Sequence, residues 1–191
     1  MNDTNAYIRQ NALKFSRSRG NLLAVTLFTL INVMLAFSGS DWYLLFSATA
    51  PFHLMHLAMM DAAFFGYDAQ TIIKIILSFS GVLALFLFWL LSARYRFFIL
   101  IAMLLFGIDT AFLIFLIIDF SLFSSFDTAF MLDVAFQAWV MFYLISGTIA
   151  WARLRGITSE QIAEAKATVN EEAAASALNE LSNDDNKGDD K

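Results

Sequence analysis

Residues 42–68 read WYLLFSATAPFHLMHLAMMDAAFFGYD, and the number of membrane crossings in this chain depends on where they sit. The stretch is too apolar for an ordinary surface loop. Yet Pro51, His53 and His56 stand in its middle and Asp61 near its end. As a spanning helix it would bury two imidazoles and a carboxylate in hydrocarbon, which is costly.

Outside this stretch, four blocks have spanning length: about 22–40, 72–92, 97–118 and 129–152. Each is near the ~20 residues that cross ~30 Å of hydrocarbon. The chain is 59% hydrophobic, with 21 phenylalanines among 191 residues, and its mean hydropathy is +0.65. Soluble domains run about 45–50% apolar even with glycine counted. The excess is gathered into the four blocks, so the fold class is all-α: a polytopic membrane protein with four transmembrane helices. The absence of cysteine excludes disulfide frameworks, thiolate metal sites and cysteine nucleophiles.

Basic residues orient the blocks. Arg9, Lys14, Arg17 and Arg19 precede the first, Arg94 and Arg96 fill the turn between the second and third, and Arg153 and Arg155 follow the fourth. The other connections carry Asp41, Asp61, Asp68, Asp119 and Asp127, with Lys74 the one basic residue near them. Lys and Arg are retained on the cytoplasmic side, so the expectation is a multi-pass cell-membrane protein with both termini cytoplasmic. A fifth span over 42–65 would break this alternation. Residues 42–68 are therefore expected outside, as an apolar helical cap that dips into or rests on the membrane. Trp42 and Tyr43 suit the headgroup level, and Pro51 is compatible with the first turn of a helix. Phe52, Leu54, Met55, Leu57, Met59 and Met60 go all round such a helix, which asks for apolar neighbours on more than one side. The small residues of LAFSGS after the first block also fit a cleaved signal peptide, but about 20 residues is long for its leading basic region.

The two ends differ in charge. Residues 1–21 form a basic cytoplasmic segment, and the four-helix domain occupies 22–155. Residues 157–191 carry nine acidic side chains against three lysines, net −6, leaving +1 on the remainder. A nucleic-acid-binding face is not in evidence. Thr158 and Gln161 have capping-box spacing, so the tail from 156 should open with a helix that runs to about Leu181. The polar run after it should be disordered.

Polar side chains inside the spans define the candidate sites. Asp109 lies roughly 18 Å from the inner end of its span and Asn32 roughly 15 Å, counting 1.5 Å per residue. Tyr143 falls at a similar height, so Asn32, Asp109 and Tyr143 are expected to form one intramembrane polar cluster. Lys74, Asp133 and Gln137 would form a second cluster nearer the outside, with Lys74 pairing Asp133 to lower the desolvation cost of both. His53, His56 and Asp61 are weak candidates for a metal site, because Asp61 is off the face the histidines share. No nucleotide-binding glycine loop is present, and no cofactor is expected.

The stretch Asn21–Leu54, NLLAVTLFTLINVMLAFSGSDWYLLFSATAPFHL, resembles the N-terminal signature of a family of small, uncharacterised multi-pass membrane proteins of Gram-positive-type bacteria. The shared features are an Arg before Asn-Leu-Leu, an Asn inside the first span, and a Leu-Phe-Ser-Ala run leading to proline. Here they fall on Arg19 (with Gly20 interposed), Asn21–Leu23, Asn32, Leu45–Ala48 and Pro51, with Phe52 as the following aromatic. His53 and His56 are no part of the signature. The resemblance covers about a fifth of the chain and carries over no catalytic residue. Three functional readings follow. The first is a non-enzymatic subunit or scaffold of a membrane complex, with lipid and a membrane-protein partner or a second copy as neighbours. The second is a small transporter or ion-conducting protein using Asp109 as a proton or cation site. The third is an outer-face enzyme built on His53, His56 and Asp61.

Overall fold

The computed structural model describes residues 2–40, 42–44, 46–119, 128–158, 160–165 and 167. Five long helices make up the described chain: α1 (Asn2–Phe37), α2 (Thr49–Phe65), α3 (Ala69–Arg94), α4 (Phe98–Asp119) and α5 (Thr128–Arg153). No strand occurs among the described residues. Four of the helices, α1, α3, α4 and α5, are long and apolar enough to cross a membrane. The protein is a polytopic helical membrane bundle.

The first helix is longer than a span needs. Its 36 residues reach about 54 Å at 1.5 Å per residue. The basic segment 1–21, expected as a separate unit, is therefore the first half of α1 from Asn2 onward. It is held by a small core in which Ile8 and Ala12 bury against Leu154 and Ala165, with Ile157 and Ile162 alongside. That core folds the residues after α5 back onto α1. The Arg96 guanidinium, in the α3–α4 turn, donates to the Ile157 carbonyl at 3.3 Å. The basic start of α1, the α3–α4 turn and the segment after α5 thus share one end of the molecule. The expected capping box is formed there, with Thr158 N–H on Gln161 Oε1 (3.0 Å) and Gln161 N–H on Thr158 Oγ1 (3.3 Å). The expected helix extension to Leu181, the disordered run after it and the α4–α5 connection lie outside the described residues.

At the opposite end α1 stops at a glycine turn. Gly39 has φ +75°, its N–H bonds Ala36 O, and Ser40 N–H bonds Leu35 O. This pair of bonds closes the last carbonyls of a helix and favours a residue without Cβ. Asp68 begins α3 by accepting from Thr71 N–H at 2.7 Å, and that bond holds its exposed carboxyl below the usual carboxylate range.

The main core joins α1, α3, α4 and α5 through Leu22, Val25, Leu85, Ile99, Phe106 and Leu144. Leu22 and Val25 of the first block are completely enclosed in it. A second core joins Val33 and Ala36 of α1, Met55 of α2 and Val82 of α3. The helix expected within 42–68 is α2, and it dips rather than rests. Its last residues, Phe64 and Phe65, are more than three-quarters exposed, whereas Pro51, Met55 and Ala58 are buried. The chain runs back into the bundle after α1 and α2 climbs out again, packed on α3 and α1 and touching α4. That surrounding explains a helix that is apolar on every side.

Candidate functional site

The amino end of α2 sets the problem that the buried polar residues solve. The first four N–H groups of any helix lack intrahelical partners, and in hydrocarbon each unsatisfied one costs several kcal/mol. Ala48, the residue before α2, offers no capping side chain. Its N–H is instead accepted by Thr29 Oγ1 of α1 at 2.8 Å. Thr49 N–H bonds Asp109 Oδ2 at 2.9 Å and Ala50 N–H bonds Asp109 Oδ1 at 2.7 Å. Proline, which has no N–H, occupies the next position as Pro51. All four positions are thereby accounted for. Asp109 is a helix cap supplied by a different helix, with both carboxylate oxygens engaged.

Gln137 of α5 completes the carboxylate's shell. Its Nε2 donates to Asp109 Oδ2 at 3.0 Å and to Thr49 Oγ1 at 3.2 Å. Its Oε1 accepts from Thr110 Oγ1 at 3.1 Å. Asp109 is 7% and Gln137 2% exposed, so both side chains are buried within the bundle. On the other flank Pro51 O accepts from Ser78 Oγ at 2.6 Å. Gly81 lets α3 approach the proline ring, since a Cβ there would lie 3.0 Å from Pro51 Cγ.

Asn32 performs a parallel task one turn along α1 from Thr29. Its Nδ2 donates to Leu44 O (2.6 Å) and Ser47 Oγ (2.8 Å), and its Oδ1 accepts from Leu44 N–H (2.7 Å). The amide side chain takes the place of a neighbouring strand for a backbone that has none. Phe46, next along the descending segment, has φ +81°, a conformation that is uncommon for a bulky residue. Its N–H bonds Asp133 Oδ1 at 3.3 Å, and its ring packs 4.7 Å from that of Phe136.

Two expected clusters therefore regroup. Asn32 binds the descending backbone and not Asp109. Tyr143 contributes to neither and lies against Trp139 and Phe142. Helix rotation decides this, because Leu144, the next residue, faces the core. In the outer set, Lys74 pairs with Asp61 and not with Asp133. The antiparallel pairing of α2 with α3 brings an acid to it from a helix that sequence spacing did not place nearby. Asp133 and Gln137 do share one face of α5, as i, i+4 spacing requires, but that face meets Phe46 and Asp109. The residues missed by spacing alone are Thr29, Thr49 and Ser78. Thr29 and Asn32, three apart on one helix face, were the available signal.

His53, His56 and Asp61 are not brought together as a metal set. The His53 ring meets Phe112 edge-on at 5.8 Å, His56 stacks on Phe52 at 6.2 Å, and Asp61 is held by Lys74. Among the described residues no three His, Cys, Asp or Glu side chains are grouped to hold an ion.

Fold and site together define a class: a four-span helical membrane protein with a re-entrant helix whose start is capped from a neighbouring span. Comparison with protein-family models, with curated proteins and with solved structures found no match for this chain.

Proposed function

We propose that this chain is a non-enzymatic subunit or scaffold of a bacterial cell-membrane complex, with both termini cytoplasmic. One observation carries the reading: both oxygens of Asp109 are taken by backbone N–H groups of α2. A carboxylate committed to a helix start is a poor carrier, since each protonation would cost that helix one of the two bonds that cap it. Asn32, Thr29, Ser78 and Gln137 support the reading, because all four bond the same descending segment or the start of α2. The polar groups inside the spans thus serve to seat a segment. His53, His56 and Asp61, the residues an outer-face enzyme would use, are engaged in ring contacts and an ion pair. The resemblance of Asn21–Leu54 to small bacterial membrane proteins agrees with the setting.

The second reading, a small transporter or ion conductor using Asp109, is favoured by one feature. A half-helix that begins inside the bundle and points its amino end at a charged group is a device of transporters. Flux measurements separate the two. The purified protein and Asp109→Asn, each reconstituted in proteoliposomes, should show no gradient-driven proton or cation flux above empty vesicles. The native protein should migrate in mild detergent above its monomer mass. A flux present in the wild type and lost in a still-folded Asp109→Asn would make Asp109 a coupling site and overturn the scaffold reading.

A further inference from the structure

A second feature lies away from Asp109, at the basic end between α1 and α5. A groove of about 220 Å³ is lined by Asn11 and Lys14 of α1 and by Phe142, Ile145, Ser146 and Arg153 of α5, among others. Its two cations sit at one end, and among the described residues neither is ion-paired. Asn11 is 1% exposed. Its Nδ2 donates to Tyr7 O at 2.9 Å, while its Oδ1 is buried with no hydrogen-bond partner. Along the groove, Phe142 and Ile145 are exposed to the lipid side at 65% and 44%. From Arg153 to Phe142 is 11 residues, about 16 Å of helix rising from the basic end into the spanning region.

We propose that this groove binds one anionic phospholipid. Lys14 and Arg153 take the phosphate, and an acyl chain lies along Phe142 and Ile145. An acidic peptide would answer the cations but leave the apolar wall bare, and only an amphiphile satisfies both. Basic pockets between spans at this level suit anionic headgroups.

The test uses the full chain in a neutral detergent with added short-chain lipids, read by thermal unfolding and native mass spectrometry. Phosphatidylglycerol should raise the melting temperature and stay bound as a single adduct, and phosphatidylcholine should do neither. Free glycerol 3-phosphate should need at least tenfold higher concentration for any shift. Lys14→Gln with Arg153→Gln should remove at least half of the phosphatidylglycerol shift, whereas the equal charge change Arg9→Gln with Arg94→Gln should keep most of it. A photoactivatable phosphatidylglycerol analogue on the unmodified chain should crosslink within residues 142–153, which keeps the proposal testable if a variant misfolds. Equal shifts with phosphatidylcholine, equal potency of glycerol phosphate, equal loss in the two charge variants, or crosslinks confined elsewhere would each overturn it.

Discussion

Asp109 shows how far one buried side chain can decide a segment's path. It lies near the middle of α4, yet its partners belong to residues 49 and 50 and to α5. Replacing it with leucine strands two amide N–H groups away from water, at roughly 1–3 kcal/mol each. Asp109→Leu should therefore lower unfolding free energy in detergent by about 2–6 kcal/mol, and Asp109→Asn, which keeps one acceptor oxygen, by about half as much. Tyr143→Phe should stay within about 0.5 kcal/mol, since that ring packs on Trp139 and Phe142 and not on the capped helix. Equilibrium unfolding of the three variants checks this, and a leucine variant as stable as the wild type would remove Asp109 from its capping role.

Between elements, α1 and α5 form the most extensive pairing among the described helices, and they approach closely at Gly147. A Cβ built on Gly147 would overlap Ser18 Cβ and Oγ, and both residues lie where backbones must approach without intervening side chains. Small residues play this part in membrane bundles because dispersion, not the hydrophobic effect, joins helices in lipid. Gly147→Ala should cost about 1–3 kcal/mol, the usual range for overpacking. Ser18→Ala should not relieve it, because the clash is with Cβ. Ser18→Gly combined with Gly147→Ala should recover most of the loss. A double mutant no better than Gly147→Ala alone would show that the two helices do not meet there in the membrane. The start of α2 follows the same logic of proximity, since Gly81 admits Pro51 and lets Ser78 reach its carbonyl.

For the molecule as a whole, one end gathers the start of α1, the α3–α4 turn and the residues after α5. The reading of both termini as cytoplasmic then becomes a single two-sided measurement. The chain has no cysteine, so Tyr95→Cys and Tyr67→Cys, both at exposed positions, report opposite ends without background. In intact cells a membrane-impermeant maleimide should label residue 67 and leave residue 95 unlabelled until the cells are lysed. The reverse pattern would invert the molecule and place the proposed lipid groove in the other leaflet.

Much of the fold was legible because a bilayer acts on segments one at a time. Hydrophobic length and the placement of arginines are local properties, so four crossings and a common end for Arg19, Arg94 and Arg153 could be read from composition along the chain. The capping box at Thr158 was equally local, needing only residues three apart. Partner choice was not local. Asn32, Asp109, Gln137 and Lys74 stand in the sequence as polar groups of roughly known depth, and several pairings at one depth are chemically alike. Which pairing forms depends on the rotation of each helix and on the register of α2 against α3. Moreover, what Asp109 and Asn32 bind is largely backbone, and almost every residue carries the same N–H and C=O. The sequence by itself therefore argued against residues 42–68 as a fifth crossing, which would break the alternation of charge. Only the tertiary structure decided that they re-enter the bundle, because their donors and acceptors find matches there and nowhere in lipid.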